Sequence, residues 1–422
     1  MFYKLLKVWA HLAFRLYFRR MFVYGRERIP TKGPVIFIVN HPNTFLEACI
    51  IAANQHRDLH FLVRGDMFEK KWLLPILKST NQIPIYRFKD GFGKLRNNKS
   101  TFDQTFEVLA QQEVVLMFPE ASSQLVKYLR PLQKGAARLA IGTVEEKNVD
   151  ELYVVPTGIY YINPTKTRND VYLKFGEPID IVEWYRKNER AEDKLSLLTT
   201  LFQEKMQEVV PSISHHHQEA VYNLSFEMLE KQLNPYDGSG IFYSQTPHKN
   251  LDKFIDSLNA KSSAFLTQLN DALHSYASRH SNFKSFDAAV FYSAAERMLQ
   301  FLCCLVCFFI GLPGILAFGI PLILAKSFAK SKIKSQEFYA PVRLAISMIF
   351  HSLFSIFLLI VLNNYFSWPE TVLLFVFLMF SLYVFGLFMD FAAYCKIFSL
   401  NKPRQFLKNQ RDQIVQKIWN AE

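Results

Sequence analysis

Cysteine is scarce in this 422-residue chain: there are five, at positions 49, 303, 304, 307 and 395. That number and spacing do not make a disulfide scaffold. Cys304 and Cys307 are formally C-x-x-C, but they lie inside an apolar run. Small packing side chains explain them better than a metal or redox site. His215, His216 and His217 are adjacent, so they point to different sides of any regular element and at most two could share an ion. A solvent-exposed turn is the simpler reading, and no metal is expected. The chain has no Gly-x-Ser-x-Gly nucleophile elbow, which argues against a serine hydrolase of that type, and it has no evident internal repeat. Acidic residues are missing from the first 26 positions. Charge of either sign is missing from 298–325, from 344–369 and from 371–389.

What is present fits those absences. The composition is 50% hydrophobic with 40 Phe, and the mean hydropathy of +0.04 is high for a soluble enzyme. The net charge of +12 is compatible with nucleic acid or with an anionic membrane surface. Its distribution favours the membrane, because no recognised nucleic-acid motif accompanies it and much of it flanks apolar segments. Lys4, Lys7, His11, Arg15 and Arg19 fall on one helical face, with Leu5, Trp9, Leu12 and Leu16 over the rest. Residues 1–24 therefore read as an amphipathic helix at a membrane interface, the plain alternative being a basic helix packed on its own domain.

The second and third uncharged runs have the length of membrane spans, and 344–364 and 369–390 are expected to be transmembrane helices. The first is interrupted by Gly311-Leu312-Pro313-Gly314 and followed by Pro321. If 298–325 dips in and returns as a re-entrant hairpin, Lys326, Lys330, Lys332, Lys334 and Arg343 lie on the cytoplasmic side. The basic tail 391–422 and the catalytic domain then share that side, as the positive-inside rule prefers.

Between these ends, strand-like runs at 35–39, 59–63, 83–86, 114–118, 153–159 and 171–175 alternate with helical stretches near 67–78, 99–110, 133–143 and 189–208. That alternation gives an α/β domain over 25–210. Residues 211–297 read as a helical accessory region, with a turn-rich break at 234–245.

Three polar clusters sit at strand ends inside the first 125 residues. His41, in Asn40-His41-Pro42-Asn43-Thr44-Phe45-Leu46-Glu47, follows the strand 35–39. A neutral imidazole suits proton abstraction from a hydroxyl, and an acid on its other nitrogen fixes the tautomer. Glu47 can play that part only if Asn43 or Thr44 caps the helix and lets the longer side chain reach back to within about 3.2 Å of the ring, or through one water. A structural histidine in a turn is the bland alternative. Arg87, after Ile83-Pro84-Ile85-Tyr86, is placed to clamp a phosphate, or is simply solvated. Glu120, Ser122 and Ser123 follow Phe118-Pro119 and could bind a polyol or hold Arg87. Arg130 and Lys134, leading into the next helix, could add positive charge where an anion binds.

At these residues the chain resembles the glycerophospholipid acyltransferase family, which includes the 1-acylglycerol-3-phosphate and glycerol-3-phosphate acyltransferases. Asn40-His41 through Glu47 is similar to its first motif, Pro84-Ile85-Tyr86-Arg87 to its second and Phe118-Pro119-Glu120-Ala121-Ser122-Ser123 to its third. Val154-Val155-Pro156-Thr157-Gly158 and Phe175-Gly176-Glu177-Pro178-Ile179 resemble the blocks that close the domain. Three departures stand out. The acid comes one residue late and as Glu. The third motif's Gly and Arg are replaced by Ala121 and Ser123. Asn43–Glu47 and the Leu312-Pro313-Gly314 region look most like the fungal dual glycerol-3-phosphate/dihydroxyacetone-phosphate subgroup.

The resemblance implies acyl transfer from acyl-CoA or acyl carrier protein, as co-substrate and without a cofactor, to a glycerol-phosphate hydroxyl. His41 would be the base and Glu47 its partner. Arg87 would hold the acceptor phosphate, with Asn43, Glu120, Ser122, Arg130 and Lys134 supporting the substrate. The monoacylated acceptor is the commoner one in such chains. The lost third-motif Arg keeps open a phosphate-free lysolipid or amino-acid lipid as acceptor, and a non-catalytic membrane scaffold is the alternative of a different kind.

Overall fold

Val35-Ile36-Phe37-Ile38-Val39 is apolar at every position because the strand it forms is buried on both faces. Its alternate side chains enter two different cores: Val35, Phe37 and Val39 one, Ile36 and Ile38 the other. This strand is the centre of the molecule. The computed structural model describes residues 2–71, 73–86, 98–234, 240–277, 283–392 and 403–420.

The strands are β1 (Arg20–Tyr24), β2 (Val35–Val39), β3 (Leu59–Arg64), β4 (Gln82–Ile85), β5 (Val114–Met117), β6 (Tyr153–Tyr161), β7 (Asp170–Phe175), β8 (Ile179–Asp180) and β9 (Gly240–Tyr243). They form one sheet in the order β4-β3-β5-β2-β6-β7-β1-β9, with β8 paired to β6. From β4 to β6 neighbouring strands run parallel, and β7 reverses direction against β6. All six strands read from the sequence are there, with ends shifted by one or two residues.

Helices α1 (Phe2–Tyr17) and α2 (Leu46–Asn54) cover one face through Phe14, Tyr17, Ile50 and Ile51. On the sheet's edge side lies the short α3 (Leu74–Ser79). The other face is covered by α4 (Asn98–Ala110), α5 (Gly135–Lys147), α6 (Ile181–Lys187) and α7 (Lys194–Gln207). A third core joins the β1–β7 end of the sheet to α8 (Glu219–Leu233), α9 (Thr246–Asn259), α10 (Ser263–Ala277) and α11 (Phe283–Phe291).

Three domain expectations change. The first helix stops at Tyr17, and Arg20–Tyr24 is a buried strand rather than the end of an amphipathic helix. Arg19 leaves the expected basic face and, with Arg20, meets Asp170 and Glu230 in a buried cluster that Lys284 completes. Lys7 also turns inward and donates to the Gln55 carbonyl, while Leu5, Val8 and Leu12 face outward. The turn-rich break at 234–245 contains β9, which extends the sheet beside β1. The basic tail is no loose tail: α15 (Arg404–Trp419) packs Leu407, Ile414 and Ile418 into the accessory core, and Arg411 pairs with Asp287.

Three helices are long and apolar enough to cross a membrane: α12 (Ala294–Lys332), α13 (Gln336–Asn363) and α14 (Trp368–Ala392). The Gly311-Leu312-Pro313-Gly314 stretch, expected to break the first of them, stays helical. The reason lies in α14. The Ser381 hydroxyl accepts from the Gly314 N–H at 2.8 Å and donates to the Ile310 carbonyl at 2.5 Å, bridging the pair that a regular turn would join directly. The glycines serve close approach, because a Cβ on Gly311 or Gly314 would collide with the backbone of Phe385 or Leu382. Gly319 has no such neighbour. Gly314→Leu is therefore expected to destabilise the detergent-solubilised protein by about 1–3 kcal/mol in thermal unfolding. Gly319→Ala should leave it near wild type, and equal effects would refute the close-packing account.

Candidate active site

Parallel register brings the first and third motifs together. Ile38 of β2 lies opposite Met117 of β5, so His41 and Glu120, each three residues further on, leave the sheet side by side. On the other flank the Asn40 amide donates to the Ile159 carbonyl at 2.9 Å, and its oxygen accepts from the Ile159 N–H at 2.8 Å. The chain is thus pinned to both neighbouring strands where it leaves β2. Beyond Val39 the strand has no ladder, and the turn's N–H groups find side chains instead. His41 N–H donates to Glu120 Oε2 at 2.9 Å, Asn43 N–H to Glu47 Oε1 and Thr44 N–H to Ser123 Oγ at 3.2 Å. Thr44 adopts a left-handed φ of 55°.

His41 and Glu47 meet. His41 Nδ1 lies 3.5 Å from Glu47 Oε2, and neither atom has another hydrogen-bond partner. The separation exceeds the expected 3.2 Å. The imidazole stacks on Phe118, with ring centroids 3.8 Å apart and planes 13° from parallel. Glu47 is fully buried, and burial pushes its carboxyl above the usual range despite hydrogen bonds from His41 and Asn43. The capping expectation fails in detail. The N-cap of α2 is Phe45 with no side-chain bond, and Glu47 reaches back to the Asn43 N–H. This inverted cap lets an acid six residues away face the ring.

The supporting residues divide. Glu120 has no free oxygen for a polyol: it accepts from His41 N–H, from Arg130 N–H at 3.0 Å and from Arg130 Nη2 at 2.8 Å, with its side chain 2% exposed. Ser122 Oγ accepts from Arg130 Nη1 at 3.0 Å. Arg130 therefore stands beside the site, spent on holding the third motif closed. Asn43 is fully buried and its amide donates to Pro164 O at 3.4 Å, so it braces the loop rather than meeting substrate. Lys134 is not in the site, because its ammonium lies 2.6 Å from Ser196 Oγ and 3.5 Å from Asp193 at the start of α7. Arg87 lies outside the described residues. Among the described residues no group of three metal-type side chains occurs.

Sequence reasoning passed over the parts played by Asn40, Phe118 and Ser123. An Asn at a strand end beside the histidine was the available signal for the first. The other two become visible only once β2 and β5 are side by side.

Ala121 carries φ 63°, the left-handed region where an L side chain costs about 1–2 kcal/mol. It stands where the resembling motif has Gly, and it is exposed, so no packing offsets the cost. Ala121→Gly should raise stability by about 0.5–1 kcal/mol after the extra unfolded-state entropy of Gly is subtracted. A lower melting temperature would contradict the assigned conformation.

A family model described as "Acyltransferase" matches residues 20–160. Glycerol-3-phosphate O-acyltransferase 1 of Saccharomyces cerevisiae is 26% identical over 297 residues, 63% of this chain and 37% of the relative. Glycerol-3-phosphate O-acyltransferase 2 of the same yeast is 35% identical over 83 residues, 20% of this chain and 11% of the relative. The chain thus spans well under two thirds of the curated relatives it matches. A solved structure, the 1-acyl-sn-glycerophosphate acyltransferase PlsC from Thermotoga maritima, overlaps 49% of this chain and 76% of its own, at 18% identity and a TM-score of 0.37. The sheet end that carries His41, Glu47 and Glu120 lies within the residues that the acyltransferase model matches.

Proposed function

We propose that the protein is an O-acyltransferase that moves a fatty acyl group from a thioester to a hydroxyl of a glycerol phosphate in phospholipid synthesis. The thioester is carried by acyl-CoA or acyl carrier protein. The observation that carries this reading is the buried Glu47 carboxylate facing His41 Nδ1, on a turn whose other ring nitrogen points away from that contact. Glu47 holds the proton on Nδ1, so Nε2 takes the proton from the acceptor hydroxyl as its oxygen attacks the thioester carbonyl. Collapse of the tetrahedral adduct breaks the C–S bond, and the imidazolium returns its proton to the departing thiolate. Phe118 keeps the ring flat in that orientation. Two relatives bear the name glycerol-3-phosphate O-acyltransferase, which makes glycerol 3-phosphate the leading acceptor and its 1-acyl derivative the second.

His41→Ala should cut transfer by about 10²–10⁴-fold while the protein stays folded. Purified enzyme would be given a labelled long-chain acyl-CoA with glycerol 3-phosphate, with 1-acyl-glycerol 3-phosphate or with a phosphate-free lysolipid. A His41→Ala rate near wild type would defeat the base assignment, and thioester loss without acceptor would point to a thioesterase.

The same reading places the catalytic domain on the cytoplasmic face of a membrane. Both ends of α12 support re-entry. Just before it, the Val290 and Tyr292 carbonyls accept from Arg404 of α15. Just after it, Ile333–Gln336 line a cavity together with Thr165 of the catalytic domain. In this reading the segment dips in and returns, with both of its ends on the domain's side, while α13 and α14 cross. Reporter tags inserted at residue 335 and at the C-terminus should both be cytoplasmic, and an exterior location of either would overturn this topology.

A further inference from the structure

Asp390 is the first charge after the uncharged stretch 371–389, and it stands in the last turn of α14. A carboxylate there meets the negative end of the helix dipole, so α14 alone disfavours it. Its partner comes from the sheet domain. Arg168 Nε donates to Asp390 Oδ1 at 3.1 Å and Nη2 to Oδ2, a two-bond fork whose side chains are 11% and 15% exposed. Gly386, one helical turn before Asp390, leaves room for the guanidinium, since a Cβ there would stand 3.3 Å from Arg168 Nη1.

The same guanidinium closes the end of α1. Nη1 donates to the Phe18 carbonyl at 3.2 Å and to those of Arg15 and Leu16 at 3.4 Å. The Arg168 N–H donates to the Tyr17 carbonyl at 2.7 Å. A helix leaves its last carbonyls without internal partners, and a positive charge suits them. Arg168 has a left-handed φ of 55°, a backbone conformation that persists where several bonds hold it.

Arg168 belongs to the loop 162–169 between β6 and β7, and that loop braces the site. The Pro164 carbonyl accepts from the Asn43 amide at 3.4 Å, and the Ile162 carbonyl accepts from Lys127, just beyond the third motif, at 2.7 Å. Asn169 Oδ1 accepts from the Asn163 N–H at 2.9 Å and closes the loop on itself. Asn43 is in turn the residue whose N–H is accepted by Glu47. Both apolar helices thus reach the turn that presents His41. Helix α13 does so directly, where Thr44 Oγ1 donates to the Glu337 carbonyl at 3.4 Å, and α14 does so through Arg168 and the loop.

We infer that Arg168 and Asp390 are positioning residues that lock the 162–169 loop, and through it the catalytic turn, to the end of α14. The inference rests on the acyl-transfer reading for its effect on turnover and goes beyond it: a carboxylate of the membrane region governs the posture of the imidazole.

Asp390→Asn keeps the shape and removes the charge. In hydrogen exchange of the full-length protein in detergent, the amides of His41, Asn43, Thr44 and the 162–169 loop should exchange about tenfold faster, with β2 and β6 as in wild type. Transfer from acyl-CoA to glycerol 3-phosphate should lose about tenfold to a hundredfold in kcat, the scale of a small misplacement of reacting groups, with both KM values within about twofold. Asp390→Glu, which restores the charge, should recover most of both losses. Lys187→Gln, which breaks the exposed pair with Glu183, should match wild type throughout. Unchanged exchange at the turn in Asp390→Asn overturns the inference, and so does an unchanged kcat. Faster exchange spread equally through β2 and β6 overturns it as well, since that marks general loss of stability. If wild type transfers no acyl group, the acyl-transfer reading falls, and the exchange measurement still decides whether the lock exists.

Discussion

A turn at the end of a buried strand must satisfy its own backbone. The N–H groups of His41, Asn43 and Thr44 have left the β2 ladder and lie where water does not reach freely, and each would cost about 1–3 kcal/mol if left unpaired. Glu120, Glu47 and Ser123 accept those three protons. Each acceptor has a further duty. Glu47 faces the imidazole, Glu120 ties in Arg130, and Ser123 anchors the loop whose Gln124 N–H returns to the His41 carbonyl. The separated motifs of this chain are thus one object, the hydrogen-bond set that a reactive turn requires. The geometry of the histidine follows from backbone satisfaction.

A second constraint sits at the far end of the sheet. Arg19, Arg20, Asp170, Glu230 and Lys284 are clustered with little solvent, joining β1 and β7 to α8 and α11. Burial alone would push Glu230 up, yet the charges of Arg19, Lys284 and Arg20 outweigh it and hold it below the usual carboxylate range. Such a cluster adds modest net stability over an apolar core, but removing one member leaves a buried charge alone, typically at about 3–5 kcal/mol. The accessory helices are therefore held in one register against the sheet.

The strands of the central sheet were legible because a doubly buried strand must be apolar throughout, and its end announces itself with Asn, His and Pro. The pairing of His41 with Glu47 was legible as a possibility, since six residues fit one turn plus a reach back. The failures have physical reasons as well. Lys134 precedes a helix and carries the right charge, but its partners Asp193 and Ser196 are some sixty residues away and no local pattern reports them. Glu120 looked available for substrate because its three donors come from two other segments. β9 begins at Gly240, just after Pro235 and Gly238 in the sequence, residues that argue against a strand, and it forms because the open edge of β1 accepts it. Helix continuity through Pro313 depends on a serine 68 residues further along the chain.

The start of α13 has one more implication. Ala340 and Leu344 are buried in the same core as Val39 and Leu46, and the Ala340 carbonyl accepts from the Tyr17 hydroxyl at 3.5 Å. The first turns of α13, Pro341 among them, are thus packed into the domain's core, and the helix runs on from there to Asn363 without a linker. On the proposed acyl-transfer reading, with α13 crossing the membrane, the height of His41 above the bilayer is set by helical rise rather than by a linker. An amphiphilic substrate already lying in the leaflet would meet the imidazole at one depth only. On that reading, selection among lipids would act through where each hydroxyl sits along the membrane normal as well as through its chemistry.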